Sequence, residues 1–196
     1  MKNARERIVS FGRKMLEQGL VCGSFGNISC CDGDAILITP TSLDYTLMAP
    51  ADVVKIDLDG KVLEGDRVPS SEFRLHLAIY HAREEVRAIV HTHSPNAIAF
   101  SLARESLPPL SEELSYVTGP VSVSPYRPAG TQKLADEAVR TLGTTGKAII
   151  LQRHGVVGVG KTLEEAFLQC EIVERGVTIY LASCGLGWSE DLWEGG

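Results

Sequence analysis

Two histidines separated by one residue, His91 and His93, directly follow the apolar run Ala88-Ile89-Val90. Such a run reads as a strand, and alternate side chains of a strand share a face. Both imidazoles therefore point the same way and can reach one metal ion. The chain has five histidines, and two stand here. A catalytic zinc takes about three protein ligands, mostly histidine with a carboxylate or thiolate, and keeps one position open. The best third ligand is His154, at the end of the apolar strand Ile149-Ile150-Leu151 and before Gly155, a residue that permits close backbone approach. The best fourth is Glu72, expected in the first turn of a helix. The competing explanation is a polar histidine pair at a strand end with no ion. His76 lies four residues after Glu72, so a Glu-x3-His metal pair on one helix face is conceivable. A buried or hydrogen-bonded role within the helix is the stronger expectation for His76 and His81.

Anion binding is the second chemistry suggested. Ser70-Ser71 precede a helix, where unpaired N–H groups and the positive end of the dipole favour phosphate. Gly26-Asn27 lies in a tight turn, and Thr39-Pro40-Thr41-Ser42 follows a strand and adds hydroxyls. Each of these alone is equally a plain helix cap or turn. Neither the G-x4-G-K-[ST] nor the G-x-G-x-x-G pattern occurs, so nucleotide binding lacks support. A Schiff-base lysine needs an apolar pocket, and Lys55 and Lys147 read instead as strand-end lysines. The G-x-S-x-G elbow of a serine hydrolase is absent.

The elements that position these residues follow from periodicity and punctuation. Residues 4–18 are helical, with Asn3 and Glu6 as a capping box and Gly19 as the stop. Strands are predicted over 28–30, 35–39 and 53–57, with 58–61 a hairpin turn into 62–63. Ser70-Ser71-Glu72 opens a helix, 88–93 is a strand and 95–102 a short helix. Beyond Pro108-Pro109 only a strand at 121–123 and a helix at 131–142 stand out. Strands at 148–151 and 156–159 flank a turn carrying His154-Gly155. Thr162 to Glu165 reads as a capping box opening a long helix to about residue 183, and the tail from Trp188 reads as irregular. The two hairpin-like connections argue for a mixed or largely antiparallel sheet with helices on its faces. With no repeat and no linker, residues 1–196 are expected to form a single domain.

Composition narrows the function classes. The 196 residues are 44% hydrophobic, which suits a globular chain with a sizeable core. A net charge of −6 without a long basic run argues against nucleic acid or anionic membrane as a partner. No apolar stretch reaches the roughly 20 residues that span a bilayer, and the N-terminus is amphipathic rather than signal-like, so a cytoplasmic location is expected. The five cysteines, odd in number and without C-x-x-C, read as reduced thiols, with Cys30-Cys31 as packing residues.

Taken together, Gly26-Asn27, Ile38-Thr39-Pro40-Thr41-Ser42, Pro69-Ser70-Ser71-Glu72, His91-Thr92-His93 and Arg153-His154-Gly155 resemble the motifs of the class II aldolase/adducin family, in order and in rough spacing. The resemblance runs from the first helix to the last and is greatest to the fuculose-1-phosphate aldolase branch. It implies an α/β fold, a three-layer α/β/α sandwich with a central mainly antiparallel sheet, and a homotetramer with active sites between subunits. It implies one Zn2+ per subunit held by His91, His93 and His154, with Glu72 as both ligand and acid/base. Gly26, Asn27, Thr41, Ser42, Ser70 and Ser71 would contact a phosphorylated sugar, a ketose 1-phosphate cleaved to dihydroxyacetone phosphate and an aldehyde.

One departure stands out. The branch uses a tyrosine after the H-x-H helix as proton donor, and the matching place here falls near Glu112, with Tyr116 a few residues on. The resemblance to methylthioribulose-1-phosphate dehydratases in that segment makes Glu112 or Glu113 an alternative acid/base; a solvated pair at a helix start is the plain alternative. A dehydratase, a decarboxylase or a 4-epimerase on a similar substrate is the second functional reading, although the epimerases carry S-S-D where this chain has Ser70-Ser71-Glu72. A non-catalytic adducin-like interaction module is the third, and such modules lose the metal ligands that are present here.

Overall fold

The computed structural model describes residues 3–188; most of the expected irregular tail lies outside them. The chain runs α1 (Ala4–Glu17), β1 (Asn27–Asp32), β2 (Ala35–Ile38), a 3-10 turn (Pro50–Asp52), β3 (Val54–Ile56), β4 (Val62–Glu64) and α2 (Phe73–Ala82). It continues through β5 (Ala88–Thr92), α3 (Pro95–Phe100), β6 (Ser106–Leu107), a π-helical turn (Leu114–Thr118), β7 (Val121–Ser124), α4 (Gln132–Leu142), β8 (Ala148–Leu151), β9 (Gly155–Gly160) and α5 (Leu163–Gly185).

The nine strands of the described residues lie in one sheet, ordered β4-β3-β2-β1-β5-β9-β8-β7-β6. The β7–β8 pairing is parallel and the others are antiparallel. The five residues of β5 are all buried, as expected of a strand covered on both faces. Its alternation divides the core. Ala88 and Val90 join the cluster that includes Ile8 and Met15 of α1 and Val173 and Val177 of α5. Ile89 joins a second cluster with Leu75 and Ile79 of α2 and Leu134 and Ala138 of α4. His91 continues the parity of Ile89, so it faces the α2 side. Each large aliphatic side chain buried this way contributes about 1.5–3 kcal/mol, which makes the central strands the stiffest place available for a site.

Local signals explain most boundaries. Asn3 and Glu6 bond reciprocally across the first turn of α1. Gly19, at φ +69°, ends the helix with paired bonds from Gly19 N to Leu16 O and Leu20 N to Met15 O, a Schellman arrangement. The Thr162 capping box is half formed: Thr162 Oγ1 accepts from Glu165 N, but the Glu165 carboxylate accepts from Lys161 N instead of the cap residue. The helix after Ser70-Ser71 starts at Phe73, so Glu72 sits at its N-cap and not in its first turn. The strand predicted through His93 ends at Thr92. β6 and the π-helical turn fall in the segment that periodicity leaves unread.

Candidate active site

Antiparallel order brings the start of β1, the end of β5 and the start of β9 to the same end of the sheet. Asn27 lies directly opposite His91, and His91 opposite Val157. Glu72 reaches this point from the N-cap of α2, and His154 from the β8–β9 hairpin turn. Gly155 is required there: a Cβ on it would stand 1.9 Å from the Thr92 carbonyl oxygen and 3.1 Å from His93 Cα. Gly26, at φ +76°, is likewise fixed, because a Cβ would meet the His91 carbonyl oxygen at 2.6 Å. The two described non-glycine residues with positive φ, Ser42 and Arg153, both belong to this region, where backbone strain of order 1–3 kcal/mol per residue is commonly held.

Glu72, His91, His93 and His154 each offer a ligand atom, and these atoms lie within 4.8 Å of one another. The three imidazole rings form a near-equilateral triangle, with centroids 4.7–5.0 Å apart. His91 Nε2 is 3.3 Å from His154 Nε2 and 3.1 Å from a Glu72 oxygen. Two donors on a tetrahedral ion with bonds of about 2.1 Å stand about 3.4 Å apart, so the spacing suits a metal. Tautomers agree. The Val156 carbonyl can only accept, and His91 Nδ1 lies 2.9 Å from it; neutral His91 therefore carries its proton on Nδ1 and turns the Nε2 lone pair to the centre. His93 Nε2 and Glu72 Oε1 are buried with no hydrogen-bond partner, an arrangement that a shared cation resolves.

Electrostatics point the same way. Burial, reinforced by the neighbouring imidazoles, pushes His93 down to about 3 and His154 down to about 4, keeping both neutral as metal ligands must be. Burial also opposes charge on His91, but the Glu72 carboxylate outweighs it and raises this one. Burial works against the Glu72 charge, yet His91, His154 and the Asn27 amide hold its carboxyl well below the usual carboxylate range. His91 must give up the proton that Glu72 favours when a metal binds; three neutral imidazoles and one carboxylate then carry a single negative charge, a donor set that matches a divalent ion.

The adjoining cleft of about 220 Å³ is lined by Gly26, Asn27, Thr41, Ser42, Ser70 and Ser71 together with Glu72, His93 and His154. It is smaller than the roughly 300–1,000 Å³ of drug-sized sites and suits a small polar molecule. Every predicted substrate contact thus lines one cleft with three of the four predicted ligands; the fourth, His91, lies buried behind them. Glu112 and Glu113 do not line it. They lie beside the π-helical turn on a separate, larger groove of about 1200 Å³ lined by residues such as Pro109, Leu110 and Tyr116, and Glu113 stands 3.3 Å from Arg175.

Sequence reasoning did not single out Ser24, Phe25 or Ala129, which also line the cleft. Phe25, 60% exposed, sets its ring 5.4 Å from that of His93 at the cleft mouth. Ala129 adds a wall. His76 is fully buried, as expected, but bonds across to β1 rather than within its helix, so the Glu-x3-His metal pair is not formed. Lys55 pairs with Asp32, and Lys147 donates to the Val117 carbonyl. The cysteines are all free.

Known proteins resemble the chain in sequence and in fold. The sequence profile described as Class II Aldolase and Adducin N-terminal domain matches residues 6–181. The 5-deoxy-D-ribulose 1-phosphate aldolase of Bacillus thuringiensis serovar kurstaki is 36% identical, over 95% of this chain and 88% of the relative. The L-fuculose phosphate aldolase of Escherichia coli strain K12 is 33% identical, over 94% and 85%. A solved structure of an L-fuculose 1-phosphate aldolase superposes with a TM-score of 0.87 at 31% identity, covering 96% of this chain and 90% of that one.

Proposed function

The chain belongs to the class II aldolase and adducin family and is an aldehyde-lyase of it; from that premise we propose that it cleaves a ketose 1-phosphate, such as L-fuculose 1-phosphate or a 5-deoxypentulose 1-phosphate, to dihydroxyacetone phosphate and an aldehyde. The observation that carries this reading is the convergence of His91, His93, His154 and Glu72 on a cleft lined by hydroxyls. We assign zinc, one ion per subunit, to the four-residue centre. When bound, it supplies Lewis-acid stabilisation of the negative charge that carbon–carbon cleavage leaves beside the ketose carbonyl.

The protein's own groups do the rest. Ser70 and Ser71 before α2, with Thr41, Ser42, Gly26 and Asn27, hold the phosphate at a helix N-terminus and so fix the reacting carbons. Glu72, buried beside that position and ionised at rest, takes up a proton from solvent once substrate displaces it and passes that proton to the three-carbon fragment. The hydroxyl that becomes the aldehyde must lose its proton. We assign that step to Glu112 or Glu113 of a neighbouring subunit in a homotetramer, since neither glutamate reaches the cleft of its own chain. The two cores on opposite faces of the sheet support the α/β/α layering and a single domain over residues 1–196. Among the described residues no helix is long and apolar enough to cross a membrane, and we place the enzyme in the cytoplasm.

The test is a panel of phosphorylated ketoses with bound metal quantified. Release of dihydroxyacetone phosphate is the expected result. Dehydrated or epimerised product without it would replace the aldolase by a dehydratase or an epimerase.

A further inference from the structure

Behind Glu72 runs a line of buried polar side chains, of which the proposed mechanism uses only Asn27. Asn27 Nδ2 donates to Glu72 Oε2 at 3.0 Å. The other end of the same amide, Oδ1, meets His76 Nε2. His76 Nδ1 lies 2.6 Å from Ser29 Oγ, and Ser29 Oγ lies 2.7 Å from Tyr80 Oη. Ser29 and His76 are fully buried, and Asn27 and Tyr80 nearly so, at 3% and 7% exposure. No bulk water can stand in for any of these partners.

Donor and acceptor chemistry gives the line a single direction. An ionised carboxylate only accepts, so the Asn27 end facing Glu72 must be the NH2 group. Its Oδ1 then accepts, and His76 must carry a proton on Nε2. Burial keeps His76 neutral, at about 3, so its Nδ1 is bare and Ser29 donates to it. The Ser29 oxygen in turn accepts from Tyr80, whose hydroxyl burial holds in its protonated form. With the opposite His76 tautomer, a lone pair would face Asn27 Oδ1. The amide would gain by turning over, and its carbonyl would then point at the Glu72 carboxylate.

We infer that His76, fixed as the Nε2–H tautomer by Ser29 and Tyr80, is a positioning residue that locks the Asn27 amide so that its NH2 group holds Glu72 in its working orientation. This rests on the assignment of Glu72 as the proton-moving group. Outer partners of this kind typically alter activity about 10–100-fold when removed.

Two measurements on the zinc-loaded protein test it. Long-range 1H–15N correlation of histidine-labelled protein, with the His76 signals identified by their loss in His76→Gln, should show a protonated Nε2 and a bare Nδ1. A proton on Nδ1 overturns the inference. In ketose 1-phosphate cleavage, His76→Leu should lower kcat about 10–100-fold with KM and bound zinc unchanged. His76→Gln, whose amide can still donate to Asn27, should stay at least about tenfold faster than His76→Leu. Wild-type kcat in His76→Leu, or equal loss in both variants, overturns it as well. If His76→Leu does not fold, the tautomer decides alone. The tautomer also needs no substrate: a protein with Nε2–H that releases no dihydroxyacetone phosphate would keep the positioning chain and lose the aldolase assignment.

Discussion

The metal end of the cleft and the groove along Pro109–Val117 are built on opposite terms. At the metal end, His91 and Thr92 are fully buried in the central strand, Gly155 and Gly26 allow backbone contacts that no Cβ would tolerate, and nearly every polar atom has a partner or faces the centre. Along the groove, Tyr116 is 89% exposed and Glu113 stands 3.3 Å from the exposed Arg175. The groove is carried by a π-helical turn, closed by a bond from Gly119 N to Leu114 O, and such turns are rare and are often found at functional sites. The difference teaches where each kind of specificity resides. The part proposed to hold an ion and two reacting carbons is set by the core of the fold. The part proposed to meet the variable half of a substrate, or a neighbouring subunit, is left on the surface.

That contrast can be broken most forcefully at His93. His93→Ala should lose bound metal and fall below about a thousandth of wild-type cleavage, as read by metal analysis beside the product assay; full activity without metal would sink the scheme. Glu72→Gln should keep the fold and most of the metal while kcat drops about 10²–10⁴-fold. Gly155→Ala should destabilise the protein by about 3 kcal/mol or more in denaturant unfolding, because the methyl group meets backbone and not a flexible side chain. Ser71→Ala should raise KM for the phosphorylated ketose by about tenfold with little change in kcat. On the groove side, Glu112→Gln and Glu113→Gln sharpen the comparison: one of them should slow cleavage, and if neither does, the glutamate acid/base idea is wrong.

A pH series separates the two regions without substrate. In the metal-free protein His76 and His93 stand at about 3 and His154 at about 4, against 6.5 in the unfolded chain. Between about pH 6.5 and pH 4 the unfolded state therefore binds protons that the folded state refuses, and stability falls as pH falls. His91, raised by Glu72, contributes in the opposite direction, one group against three. Thermal unfolding of metal-free protein should give a Tm that decreases from about pH 7 to pH 5. A flat or rising Tm would mean that these imidazoles are not held neutral.

Legibility in the sequence followed the same division. The central strands, the α1 capping box and the His91–His93 pair could be read, because strand parity, apolar runs and glycines act locally on residues close in sequence; Glu72 and His154, distant in sequence, were legible as candidates from their places at a helix start and a strand end and from the family motifs. Glu72 could be placed near the cluster but not at the N-cap of α2, since a shift of one position depends on how Ser70 and Thr39 bond across the chain. The role of His76 was hidden, because its partners Ser29 and Asn27 come from β1 and only the β1–β5 register and the packing of α2 bring them together. The segment around Glu112 had no readable period, as a π-helical turn follows neither the helical nor the strand repeat.

The central claim is that three imidazoles and one carboxylate from three separate parts of the chain, the end of β5, the N-cap of α2 and the β8–β9 turn, hold a single divalent ion. X-ray absorption spectroscopy of the zinc-loaded protein tests it most directly. The account predicts three imidazole nitrogens at about 2.0–2.1 Å, joined by carboxylate oxygen, with the imidazole scattering diminished in His93→Ala. A shell of oxygen or sulfur alone, or one unchanged by that substitution, would contradict it.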